Sequence, residues 1–122
     1  MTSKIRLELA RTKDRPEGDI RHGYELVAPL DPEGHLDVDA WRHQRAACTV
    51  HRFAPGAEDE FGRLVHTRGQ RWAFSYRPGD DDDEAVFRLA DHRFRVGDYV
   101  SITEHDGVTR PFRVVSVRPL PA

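Results

Sequence analysis

The residues of this chain that could do chemistry are seven histidines, a single cysteine, scattered serines, a run of acids and a strand of aromatics flanked by arginine. His22, His35, His43, His51, His66, His92 and His105 invite a metal-site reading, but their spacing forms no His-x-His, HExxH or His-with-two-Cys pattern. Cys48 and His51 stand three apart in an expected strand, which turns their side chains to opposite faces. The histidines are therefore expected at the surface or rim, with no metal and no cofactor. Asp80 to Asp83 with Glu84 is rich in oxygen ligands, yet a calcium loop starting at Asp80 needs glycine where Ala85 stands. Like charges in a loop stay solvated. Ser3, Ser75, Ser101 and Ser116 lie in no nucleophile elbow, and Cys48 has no basic neighbour to lower its pKa. The glycines fall singly at turns and make no phosphate loop. With no catalytic residue to name, the chain reads as leaning away from an enzyme.

Two groups of residues point to binding instead. Trp72, Phe74 and Tyr76 alternate on one face of a strand, with Arg71 and Arg77 at its ends. An exposed stripe of this type stacks the bases of single-stranded nucleic acid while arginine holds the backbone. A strand buried against a core shows the same alternation, and a two-residue loop at Arg68-Gly69 or Gly69-Gln70 places the stripe beside Val65, which favours burial. The nucleic-acid reading rests on Arg71, Trp72 and Tyr76, with Arg93, Arg95 and Tyr99 nearer the C-terminus. The second group is a small-ligand pocket beneath the one expected helix, of a binding protein or an enzyme, with Tyr24, Trp41, His43 and Arg45 as its lining.

The elements that must position these residues are mostly strands. Ile5, Leu7 and Leu9 alternate with Lys4, Arg6 and Glu8, and Gly23 to Leu30 follows as an antiparallel partner after a loop at Arg15–Asp19. Residues 37–47 make the helical candidate, with Asp37 or Asp39 as N-cap and Trp41 as its apolar contact, closing one end with its N–H at the rim. Cys48 to Phe53, Phe61 to Thr67, Arg71 to Arg77 and Ala85 to Ala90 complete the middle of the chain. Further on, Phe94 and Val96 alternate with Arg93 and Arg95 as another strand, Gly97-Asp98 marks a corner, and Val100 and Ile102 resume the pattern. A three-residue turn with Gly107 left-handed would pair Val100 with Phe112 and keep apolar residues on one face. Pro111 suits an edge or bulge, and Val114, Val115 and Val117 suit a strand that is covered on both sides or bends and exchanges faces.

The phrase from Phe94 to Ile102, followed by a glycine turn and Phe112 to Val117, resembles the closing strands of PUA and ASCH-type barrels, several of which bind RNA. That likeness covers only the C-terminal strands, and the ligand-facing helix and loop of that family have no counterpart in the rest of the chain. Over its full length the chain resembles small proteins of high-GC proteobacteria, a likeness that carries no activity.

At 122 residues, with 8 Pro, 9 Gly and one cysteine, the composition implies one domain with many turns and no disulfide. The formal charge of −2 combines the acidic run with an otherwise mildly basic chain. Of the 19 basic residues all but Lys4 and Lys13 are arginine, which a GC-rich coding bias produces as readily as phosphate binding does. No apolar run approaches a membrane span, so a cytoplasmic address is expected. The expectation is therefore a mainly β protein, residues 1–122 forming one small antiparallel β-barrel of about seven strands with a short capping helix. It serves as a non-enzymatic binding or interaction module. Its partner is a protein, a second copy paired through an edge at Ile5–Leu9 or Val114–Val117, or single-stranded nucleic acid, with no membrane.

Overall fold

Alternation of small or apolar residues with charged ones builds β1 (Thr2–Leu9), whose Ile5, Leu7 and Leu9 are buried while Lys4, Arg6 and Glu8 reach the outer face. The computed structural model describes residues 2–13, 15–66, 72–76, 84–87 and 93–121, with backbone alone at 84–87. Arg71, Arg77, His92 and the acidic residues Asp80 to Asp83 lie outside the described residues. β2 (Asp19–Pro29) runs antiparallel to β1, Leu7 facing Tyr24 and Ile5 facing Leu26. Glu8 faces Gly23 but Leu9 faces Asp19, so Ile20, Arg21 and His22 form an insertion in β2. β3 (Thr49–Phe53), β4 (Glu60–His66), β5 (Trp72–Ser75), β6 (Glu84–Phe87), β7 (Tyr99–Thr103) and β8 (Thr109–Pro119) follow, each paired with its sequence neighbour.

Pairing of β8 with β1 closes the sheet into an antiparallel barrel of eight strands, one more than the expected seven. Eight strands leave an interior that side chains can fill. Closure also removes the expected dimerisation edges, because the strands holding Ile5–Leu9 and Val114–Val117 hydrogen-bond to each other. In that ladder Arg6 faces Ser116 and Leu7 faces Val114, which leaves Val115 as an unpaired bulge. The bulge lets Val114 and Val117 both reach the core, so β8 does exchange faces along its length. The β7–β8 turn has the expected register, Val100 facing Phe112, with Gly107 at φ +79°.

Helix α1 (Val38–His43) lies in the β2–β3 connection and marks the lower end of the barrel. The carboxylate of Asp37 caps it by accepting the Ala40 N–H at 3.1 Å, and a 3-10 turn (Arg45–Ala47) carries the chain into β3. Trp41 packs edge-on against Trp72, with ring centroids 5.5 Å apart. Its indole N–H donates to the Leu64 carbonyl at 2.9 Å inside the barrel, so the expectation of a rim-facing N–H is corrected.

Two further expectations give way to packing. Residues 93–95 are not a strand: Phe94 is 2% exposed and Val96 62%, whereas a strand would put both on one face. The Phe94 N–H instead donates to the Gly34 carbonyl at 2.8 Å, which ties this segment beneath the barrel, and Gly97 at φ +99° turns the chain into β7. The aromatic stripe is core, as its spacing favoured, but in another register. Trp72 faces His66 and Phe74 faces Leu64, while Val65 pairs with Ala73 on the opposite face. A loop one residue longer or shorter than expected reverses the face of the whole facing strand.

Among the described residues no helix is long and apolar enough to cross a membrane.

Candidate functional site

Four inward-facing rows end in a polar or charged residue at the upper barrel end. In β2 the row Ala28, Leu26, Tyr24 continues to His22; in β3 Val50 is followed by Arg52; in β7 Val100 and Ile102 lead to Glu104; in β8 Val114 and Phe112 lead to Arg110. Antiparallel order places all four at the end that carries the β1–β2, β3–β4 and β7–β8 loops, opposite α1.

They converge on Glu104, whose side chain is only 1% exposed. Its Oε2 accepts from Tyr24 Oη at 2.8 Å, His22 Nε2 at 2.9 Å and Arg52 Nη2 at 2.9 Å, and its Oε1 accepts from Arg110 Nη1 at 2.9 Å. Arg110 also grips Asp106 through both carboxylate oxygens, at 3.0 and 2.7 Å. Glu60 adds an outer layer by accepting from Arg52 at 3.5 Å and His105 at 3.0 Å. Burial pushes the Glu104 carboxyl up, but the hydrogen bonds from His22 and Tyr24 and the nearby charges of His22 and Arg52 outweigh it and hold the group down to about 2. Asp106 is also held at about 2, chiefly by Arg110. Glu104 is thus an anion throughout the neutral range, with donors on both oxygens. A group in that state has no proton to give and serves as a fixed electrostatic anchor. Cys48, on the inner face with Val50, is pushed up by burial and stays a thiol.

A second feature lies on the outer surface of β3, β4 and β5. Phe61 is 68% exposed, and one face of its ring stacks on His51 at 4.5 Å and 12°. His51 is itself held by Asp59 at 2.8 Å and packs edge-on against Phe53. Phe53 lies over Gly23, where a Cβ would come within 3.1 Å of its ring, and the Arg6 guanidinium sits 4.6 Å from the ring centre. Beside Phe61 runs a groove of about 610 Å³ lined by Thr49, Arg63, Ser75 and Tyr76 among others, with no acid among its described lining residues. Arg63 makes no ion pair with any described residue.

The residues singled out for binding do not assemble as expected. Trp72 is buried in the core, Tyr76 is partly buried against it and in ring contact with His105 at 5.2 Å, and Arg71 lies outside the described residues. Arg93, Arg95 and Tyr99 are exposed, on the lower crossing and the start of β7. The pocket under the helix does not form from its expected lining. Tyr24 points into the upper half toward Glu104, Trp41 seals the lower end, His43 lies outside on α1 with Nδ1 donating to the Asp39 carbonyl at 2.8 Å, and Arg45 stacks over the outer side of Trp41 at 4.6 Å. Among the described residues no three of His, Cys, Asp and Glu are placed to hold a metal ion. Sequence reasoning missed His22, Arg52, Glu104 and Arg110, although each extends an apolar period-2 row by one polar step. Comparison with protein-family models, with curated proteins and with solved structures finds no match to this chain.

Proposed function

We propose that this protein is a non-enzymatic binding module that presents the outer face of β3–β5 to single-stranded nucleic acid. The observation that carries this reading is the exposed Phe61 ring, backed by His51 and followed two residues along the strand by Arg63, which makes no ion pair with any described residue, at the edge of a groove with no acid among its described lining. Residues two apart on a strand are about 6.7 Å apart on the same face. A base can stack on the free face of Phe61 while its phosphate meets Arg63, with the Thr49 side chain also lining the groove. The interior supports the non-enzymatic part of the reading, since its upper end is filled by an ion cluster in which the Glu104 carboxylate is held ionised by donors on both oxygens.

The test is fluorescence anisotropy of a labelled mixed-sequence single-stranded RNA titrated with protein at two salt concentrations. Intrinsic fluorescence is a poor reporter because Trp41 and Trp72 are both buried. Binding that weakens with salt, and that falls roughly 5- to 100-fold in Phe61→Ala and also in Arg63→Ala, supports the proposal. Absence of binding at low salt, or equal binding by Phe61→Ala, rejects it.

A further inference from the structure

We propose that the upper mouth of the barrel holds a second, independent site for a small organic oxyanion, a carboxylate or phosphate monoester with a short apolar tail. The cleft has a volume of about 420 Å³ and lies between the β1–β2 loop and the start of β8. Its polar lining is Thr12, Arg15, His22, Thr109 and Arg110, and Leu9, Val108 and Pro111 form the apolar remainder. That mixture of a few convergent donors on an apolar wall, at this size, suits a small metabolite.

The donors are fixed before any ligand arrives. Thr12 and Arg15 are locked side by side by reciprocal backbone hydrogen bonds of 2.9 and 3.2 Å. The Thr12 hydroxyl oxygen also accepts the Arg15 N–H at 3.0 Å, so its own O–H remains to be donated. Arg110 is held from behind by Glu104 and Asp106 through three of its five N–H groups, which leaves Nε and one Nη2 hydrogen for a ligand. The Thr109 hydroxyl is placed by Thr103 at 2.8 Å.

Charge points the same way. Three carboxylates around the cleft have cationic partners: Glu104 and Asp106 on Arg110, and Asp19 on Arg21 at 3.3 Å. Arg15 makes no ion pair with any described residue, its charge acts at longer range on Asp19, and its side chain lines the cleft. Glu104 acquires a role in this arrangement: it helps to set the position of Arg110 and His22 while its own side chain stays buried, only 1% exposed.

The experiment is an amide NMR titration of the intact protein with inorganic phosphate and, separately, with butyrate, at constant ionic strength set by chloride. Saturable shifts at Thr12, Arg15, Thr109 and Arg110 with either probe, weakened roughly 10- to 100-fold in Arg15→Ala and also reduced in Thr12→Val, support the site, and the probe that binds tighter identifies the head group. Arg118→Ala, at the other end of the barrel, is the control for general charge. Shifts that do not saturate, that survive in Arg15→Ala, or that fall equally in Arg118→Ala overturn the proposal. The nucleic-acid reading of the β3–β5 face stands or falls separately, because neither Phe61 nor Arg63 lines this cleft.

Discussion

Replacing Glu104 by glutamine keeps its shape and removes its charge, and the structure dictates both the size and the pH dependence of the effect. The folded protein holds this carboxyl at about 2 against an ordinary 4.5, a difference of about 2.5 units. Each unit corresponds to about 1.4 kcal/mol, so the ionised cluster stabilises the fold by about 3 kcal/mol. An independent route gives a similar figure, since removing one partner of a buried ion pair typically costs about 3–5 kcal/mol. In Glu104→Gln the amide would also direct N–H donors at arginine, histidine or tyrosine donors, while Arg52 and Arg110 lose their shared anion. The folded pKa is depressed, so the contribution is full above pH 4.5 and is lost as pH falls toward 2. Urea unfolding of wild type and Glu104→Gln between pH 7 and pH 2 measures this directly. The gap in unfolding free energy should be about 3–5 kcal/mol at neutral pH, hold to about pH 5, narrow below 4.5 and nearly vanish at about pH 2. Depressed carboxylates elsewhere, including Asp106 on the shared Arg110, are present in both proteins and largely cancel in the difference. A gap below about 1 kcal/mol at pH 7, or one of constant size down to pH 3, would refute the reasoning.

Other parts of the barrel are as open to test. A Cβ on Gly62 would sit 2.2 Å from the Ser75 carbonyl oxygen, a backbone atom that cannot swing away, so Gly62→Ala should lower stability by about 3 kcal/mol or more in thermal or urea unfolding. Trp41→Phe removes the donor that satisfies the Leu64 carbonyl and part of the packing on Trp72, for an expected loss of about 2–4 kcal/mol by urea unfolding, with the core otherwise intact by NMR. Gly107→Ala meets open space but a left-handed backbone at φ +79°, so the expected loss is about 1 kcal/mol with no change in the Val100–Phe112 pairing detected by NMR. Tyr24→Phe strips one hydroxyl from Glu104 while leaving its ring against Phe74 and Phe112, and should lower stability by about 1–2 kcal/mol at pH 7 as measured by urea unfolding.

Where a period of two ran uninterrupted, sequence and structure agree. Ile5–Leu7–Leu9 and Val100–Ile102 face the core because alternation in a strand allows no other arrangement, and the Gly107 turn was legible because only one loop length kept apolar residues on one face. Phe94–Val96 shows the limit of the same logic. Its alternation was as good, but the hydrogen bond from Phe94 to Gly34, 60 residues earlier in the chain, draws it out of the sheet. Likewise, Trp72 and Phe74 read correctly as core, yet the strand they meet was off by one position because a loop's length in residues does not specify its path.

The candidate sites divide along the same line. By itself the sequence determined an antiparallel, turn-rich barrel, the helix near Trp41, and the apolar period-2 rows that face inward. Only the tertiary structure decided that β1 closes on β8, which abolishes the expected edges, and that His22, Tyr24, Arg52 and Arg110 meet at one carboxylate from positions as many as 82 residues apart. Periodicity specifies which face a residue takes. Strand order and stagger specify which residues share an end of the barrel, and those arise from long-range pairing that no local pattern contains.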